Sequence, residues 1–257
     1  MSSAPNQFVW YELLTHDPQA ATTFYGQVFG WSAKPHPGSP PEHPYLILSV
    51  GDRGVGGVMD IAASDCGEDQ KPHWLGYIAV DDVDATVARI TEAGGAVHKP
   101  PADIPGVGRF AGVADPSGAA FMLITPMGEG QPPADPYAPG LPGWRELYAD
   151  DGKAALAFYG ALFGWTEDRA MDMGPMGVYH IFAAGGPAIG GMMSKPPNHP
   201  VAHWSYYFNV ESVDAGIERV NAGGGKVVNG PQEVPGPMWI AQCQDPQGGM
   251  FAMVGAK

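Results

Sequence analysis

The chain is poor in cysteine, in charge and in long apolar runs, and each shortage removes a class of protein. Among 257 residues only Cys66 and Cys243 carry thiols, and neither stands in a Cys-x-x-Cys pair. Two isolated thiols exclude a disulfide-stapled scaffold or a cysteine zinc site as organising devices, and read as small core or surface residues. No apolar segment approaches the roughly 18 residues that span a bilayer, and the opening MSSAPNQF lacks the basic and apolar regions of a secretory leader. The expectation is a cytoplasmic protein with no membrane partner. Only 16% of residues are charged, and 13 Lys and Arg against 27 Asp and Glu leave a net charge of −14. A field of that sign repels phosphate backbones and anionic lipid, so nucleic acid is excluded as a partner too. The acidic surplus either favours a cationic ligand or serves to keep the chain in solution.

What the chain has in excess is Gly (37) and Pro (27), set against 44% hydrophobic and 11% aromatic residues. The apolar and aromatic content can build a core that a disordered chain could not. Many short elements joined by tight turns reconcile the two.

The sequence is duplicated. An offset of 134 carries Trp10, Glu12 and Leu13 onto Trp144, Glu146 and Leu147, FYGQVFGW onto FYGALFGW, Tyr45 onto Tyr179 and Gly56-Gly57 onto Gly190-Gly191. After a four-residue deletion the offset is 130, which pairs His73-Trp74 with His203-Trp204 and DPSGAAF with DPQGGMF. Between the copies, residues 126–143 hold six Pro and four Gly in 18 positions, the composition of an extended, stiff connector. The predicted domains are residues 8–125 and 144–254.

Each half reads as strand, helix and several strands, given twice. Residues 8–15 form an apolar strand, and Asp17-Pro18 supplies an N-cap followed by Pro at the first helical position. Ala20, Phe24 and Val28 then share a helical face, and Gly30 stops the helix. Residues 45–50 and 55–61 read as strands, as do 74–80, 110–114 and 120–125, with a helix capped by Asp82 between and an Asp-Pro-x-Gly turn before the last. The second half repeats the pattern with Asp151 and Ser212 as caps. The predicted fold is α+β, four βαβββ units.

This arrangement resembles the vicinal oxygen chelate superfamily of glyoxalase I, extradiol dioxygenases and bleomycin resistance proteins. The strand followed by an FY helix, the closing FGW, the Gly-Gly helix end and the DPxG turn carry the resemblance, in order and twice. It implies two tandem cup-shaped mixed-sheet domains, with one site built from the first and fourth units and the other from the second and third. A single chain would then act as an intramolecular pseudo-dimer, complete as a monomer.

Metal-dependent members place His, Glu or Gln at four strand positions. By the resemblance these fall here on Trp10, Met59, Leu75 and Met122, and on Trp144, Met193, Ser205 and Ala252. Those side chains suit no divalent ion, so no metal and no other cofactor is expected. Glu12 and Glu146 lie two residues after the first position, and His73 and His203 two before the third, which keeps all four on the same strand face. The tandem pairing implies Glu12 with His203 and Glu146 with His73. Each pair either acts as general acid and base or consists of scaffold residues retained by the duplication, and a displaced metal site using Glu and His is the third option.

Trp10 and Trp144 fall on the cup face, where a ring either stacks on a ligand or fills space. With Met59, Leu75, Met122, Met193, Ser205 and Tyr207 they make up the expected ligand-binding wall. Trp31, Trp74, Trp165 and Trp204 read as core, Arg109 as half of a surface ion pair, and His36 and His43 as exposed loop residues. Three functions follow. The first is a metal-independent protein that binds a small organic molecule in aromatic-lined cups and acts as an acid/base isomerase, lyase or hydroxylase. The others are a drug-sequestering protein resembling bleomycin resistance proteins, and a metal-dependent lyase or dioxygenase with a displaced site.

Overall fold

In a computed structural model of the chain, the described residues are 6–64, 70–128, 130–197 and 199–257. Cys66 lies outside them. The first half runs β1 (Phe8–Thr15), α1 (Pro18–Phe29), β2 (Ser32–Pro35), β3 (Leu46–Val50), β4 (Arg53–Asp60), β5 (His73–Ala79), α2 (Val83–Glu92), β6 (Ala96–Ile104), β7 (Gly108–Ala114) and β8 (Ala120–Pro126). The second half runs β9 (Pro142–Ala149), α3 (Gly152–Phe163), β10 (Thr166–Asp172), β11 (Val178–Ala183), β12 (Ala188–Ser194), β13 (His203–Ser212), α4 (Val213–Ala222), β14 (Lys226–Val234), β15 (Met238–Gln244) and β16 (Met250–Ala256). This is βαβββ four times over.

The caps read from the sequence form. Asp17, Asp82, Asp151 and Ser212 each accept a backbone N–H of the first helical turn. Gly30 and Gly164 close α1 and α3 in the left-handed conformation, at φ of 73° and 72°.

Each half forms one eight-stranded mixed sheet, ordered β2-β3-β4-β1-β5-β8-β7-β6 and β10-β11-β12-β9-β13-β16-β15-β14. Neither closes into a barrel. The last strand of each unit lies parallel to its first, as in β1 with β4 and β13 with β16, while neighbours joined by hairpins are antiparallel. The four edge strands escape the sequence pattern because they bury little: β2 is exposed at every position and β14 at most of them. Edge position also explains how β6 holds Pro100 and Pro101, where the register with β7 shifts between Lys99 and Ala102. The connector is shorter than its composition suggests. Strand β8 runs through Pro126, and β9, a central strand, begins at Pro142, since Pro is tolerated as the first residue of a strand.

The sheets follow the sequence halves, but the compact units do not. One unit comprises Trp10–Leu75, Pro133–Gly143 and Tyr206–Lys257, and the other Met1–Val9, Gly76–Pro132 and Trp144–Ser205. Each takes helix-bearing modules from both halves. In the first unit an aromatic cluster joins Tyr25, Phe29, Trp31, Trp74, Phe208 and Phe251, with ring centroids 4.8–6.3 Å apart. In the second, Tyr159, Phe163, Trp165 and Trp204 repeat the arrangement with Phe182 and Phe121. The four tryptophans read as core are core.

The FY and DPxG motifs meet inside each cluster. Trp74 Nε1 donates to the Tyr25 hydroxyl, which donates to Asp245 Oδ2 at 2.8 Å, while Asp245 Oδ1 accepts from the amides of Gln247 and Gly249. Trp204, Tyr159 and Asp115 do the same in the other unit. Burial and the neighbouring Asp245 push the Tyr25 phenol well up, so it remains a donor. The connector belongs to the first unit: Trp31 Nε1 donates to the Gly140 carbonyl, and the Asn209 side chain donates to the carbonyls of Pro136 and Ala138.

Candidate functional site

Alternation along β1 puts Tyr11 and Leu13 on the helix side, where Tyr11 meets the rings of Tyr206 and Phe208. Trp10, Glu12 and Leu14 therefore occupy the opposite face. There Glu12 is aligned with Gly57 and Leu14 with Met59 on β4. Gly57 has a reason to be glycine, because a Cβ on it would lie 2.0 Å from the Tyr45 hydroxyl and 2.2 Å from the adjoining ring carbon. The bare backbone lets the Tyr45 ring lie across the sheet. Its hydroxyl accepts from Trp10 Nε1 at 2.8 Å and donates to Glu12. Burial first, and then the Glu12 charge, hold the Tyr45 phenol well above the ordinary range. The result is an indole-to-phenol-to-carboxylate ladder, with Glu12 only 7% exposed.

The second half repeats the ladder. Trp144 Nε1 donates to the Tyr179 hydroxyl at 2.8 Å, Tyr179 bonds Glu146, and its ring lies where a Cβ on Gly191 would come within 2.1 Å of it. Here the carboxylate has an additional donor. Tyr148, which stands where the first half has Leu14, donates to Glu146 Oε2 at 2.7 Å. The Tyr148 ring stacks on His203, with centroids 5.2 Å apart and planes 18° from parallel, and His199 flanks both.

Both site histidines are held in one tautomer. His203 Nδ1 lies 3.1 Å from the Val201 carbonyl and His73 Nδ1 lies 2.7 Å from the Lys71 carbonyl. A carbonyl can only accept, so each Nδ1 carries the proton and each neutral ring offers Nε2 as its acceptor. Burial pushes the pKa of His203 down, His199 adds to that, and the Val201 carbonyl and the Glu146 charge act against it. His203 is thus a neutral base at physiological pH.

The tandem resemblance implies Glu146 with His73; in the structure Glu146 acts electrostatically on His203, and β9 and β13 are neighbours in one sheet. The same strand order places β5, which begins at His73, beside β1. Of the remaining wall residues, Met193 is aligned with Tyr148, Met122 with Tyr77 and Ala252 with Tyr207. Leu75 is buried and Ser205 half-buried, and the buried Tyr207 accepts at its hydroxyl from Gln242 Nε2 at 2.8 Å. Sequence reasoning missed Tyr45, Tyr179 and Tyr148 as site residues, although the first two were visible as a repeated pair. Arg109 is committed to Asp84 and Asp103 at the surface, and His43 pairs with Asp60 at 3.1 Å. A cleft of about 360 Å³ beside the connector, lined by Val28, Gly30, Gly140, Asn209, Ser212 and Arg219, includes none of the ladder residues.

The positions at which the resemblance implies a divalent ion do not fit one here. They carry indole, thioether, aliphatic and hydroxyl side chains, of which none is an anionic or imidazole ligand. Among the described residues, no three His, Cys, Asp or Glu converge as a metal-binding group.

Solved structures share this architecture at low sequence identity. An Mn(II)-bound glyoxalase from Novosphingobium aromaticivorans superposes with a TM-score of 0.65 at 17% identity, covering 98% of this chain and 82% of that one. The 2,3-dioxygenase LapB from Pseudomonas sp. KL28 gives 0.68 at 13% identity, covering 99% and 94%. Among curated proteins, "Putative glyoxylase CFP32" of Mycobacterium tuberculosis is 33% identical over 253 residues, 95% of this chain and 93% of its own length. "Anthracycline biosynthesis protein DauV" of Streptomyces sp. (strain C5) is 33% identical over 281 residues, covering 98% and 94%. A family model matches residues 7–123 and again 142–253, once for each half. With the βαβββ units, the duplication and the sheet order agreeing, the chain belongs to the Glyoxalase/Bleomycin resistance protein/Dioxygenase superfamily.

Proposed function

We propose that this chain is a metal-independent member of its superfamily that binds a small planar organic molecule in aromatic-lined sites and carries out acid/base chemistry on it. The observation that carries the reading is the duplicated ladder of Trp10, Tyr45 and Glu12 and of Trp144, Tyr179 and Glu146. A half-exposed indole held by a hydrogen bond offers a fixed surface for stacking, and each ladder ends in a carboxylate in the half that also supplies an imidazole with Nε2 free. Glu12 with His73 and Glu146 with His203 are the acid/base residues, and Met59, Leu75, Met122, Met193, Ser205 and Tyr207 complete the walls. The name of DauV refers to anthracycline biosynthesis, and a fused-ring compound of that kind has the shape such a wall would stack. Since both ladders lie in one chain, the protein acts as a cytoplasmic monomer.

Isothermal titration with alizarin, a planar anthraquinone, tests the reading. Saturable binding that the W10L/W144L double variant weakens at least tenfold is expected, and unchanged affinity in that variant would sink it.

A second reading, sequestration of a cationic drug, is favoured by the net charge of −14. It predicts that methylene blue, a planar cation, binds more tightly than alizarin and that its affinity falls with salt.

A further inference from the structure

The two halves differ at the one position that connects carboxylate to imidazole. We propose that the second-half site is the complete proton-transfer site, with His203 as its base, Tyr148 as the residue that positions it, and a planar aromatic ketone bearing an acidic C–H as its substrate class. The inference rests on the proposed function and assigns the roles within it.

The geometry divides the work. Glu146 accepts from Tyr148 and is bonded to Tyr179, so two hydroxyl donors already claim lone-pair sites on it and it is the weaker candidate for removing a proton from carbon. His203 has the free lone pair, on Nε2. Its ring is fixed at one edge by the Val201 carbonyl and on one face by the Tyr148 ring. The charged and titratable groups around it are Glu146 and Tyr148 from β9 and His199 from the preceding loop, whose carbonyl is held by Lys195 Nζ. When His203 takes a proton, the imidazolium that forms is stabilised by the Glu146 carboxylate, and Tyr148 touches both partners. The first half has Leu14 at the corresponding position, which can neither donate to Glu12 nor stack as an aromatic ring on His73. Its site binds without this relay.

The step balances without a co-reactant. The substrate C–H bond breaks, the proton passes to His203 Nε2, and the electron pair moves into the adjacent carbonyl to give an enolate. Once His203 Nε2 has given that proton to solvent and taken a deuteron in its place, delivery of the deuteron to the same carbon gives exchange, and delivery to another gives isomerisation.

The probe is 2-tetralone, an aromatic ketone with an acidic CH2, in D2O. Its proton-to-deuterium exchange is followed by NMR and its binding by calorimetry, on the full chain. Wild type is expected to accelerate exchange at least tenfold over buffer. H203N should lose that acceleration. Y148L, which installs the first-half residue, and Y148F should retain binding within about threefold while exchange falls at least fivefold. Thermal melting confirms that each variant is folded, and Y148F alone serves if Y148L is not. Binding without accelerated exchange, unchanged exchange in H203N, or unchanged exchange in Y148F would each overturn the inference while leaving the aromatic-site reading intact. Absence of binding by both 2-tetralone and alizarin would remove that reading and the inference together.

Discussion

The hydroxyl of Tyr25 donates to the carboxylate of Asp245 at 2.8 Å, across 220 positions of sequence. Two motifs that looked like local punctuation, the FY of a helix and the DPxG of a turn, are therefore the two ends of one buried hydrogen-bond network. Trp74 adds a donor at one end and two turn amides add theirs at the other.

Removing the carboxylate strands several donors at once. D245A is expected to destabilise the protein by about 3 kcal/mol, and Y25F by about 1 kcal/mol, since the second leaves Asp245 its two amides. Urea denaturation measures both, and a D245A midpoint equal to that of wild type would refute the network's role.

Gly191 underlies the Tyr179 ring, and an added Cβ there has no room, with ring atoms 2.1–2.3 Å away. G191A should displace Tyr179, break its bond to Trp144 and cost about 1–3 kcal/mol of stability. Alizarin affinity should fall with it. A G191A variant with wild-type melting and wild-type affinity would contradict this account.

His203 makes stability depend on pH with a definite sign. Burial depresses its pKa in the folded state, so below the ordinary imidazole value of about 6.5 the unfolded chain binds the extra proton and the folded chain does not. Its contribution is intact above that pH and is lost as pH falls toward the depressed value. H203N should flatten the stability curve of the wild type below about pH 6.5. Identical slopes in the two proteins, measured by urea midpoints from neutral pH downward, would count against a half-buried neutral ring.

Cys243 is fully buried on β15, and burial pushes its thiol up to about 12. In a C66S background the native protein should resist Ellman's reagent at pH 8, with reaction appearing only as urea unfolds the chain. Rapid modification of the folded protein would show that β15 opens.

The donor chemistry of the wall predicts indifference to chelation. Dialysis against EDTA should leave both the melting temperature and alizarin affinity unchanged, and a fall in either that zinc or manganese restores would show an ion bound elsewhere.

The parts of the fold that the sequence displays are those governed by near neighbours. Asp17, Asp82, Asp151 and Ser212 announce helix starts because a cap bonds within its own first turn. Strands β2, β6, β10 and β14 stayed hidden because an exposed edge needs no apolar alternation. In the site, strand periodicity put Glu12, Glu146, His73 and His203 on one strand face. It could not say which carboxylate meets which imidazole, since that depends on which strands become neighbours in a sheet. Tyr148 was missed for another reason. Comparing two copies reveals what they share, and Tyr148 stands where they differ.

The division of the chain into units also has a consequence for how the protein is made. The unit that begins at Trp10 includes the last strand, which ends at Ala256. A ribosome releases the amino-terminal module long before it has synthesised the partner that covers it. Phe24, Tyr25 and Phe29, whose rings meet Phe251 in the finished molecule, must wait while the residues between them and β16 are made. Completion of this unit therefore waits for β16, and the nascent chain carries an uncovered aromatic surface that chaperones can recognise until that strand emerges.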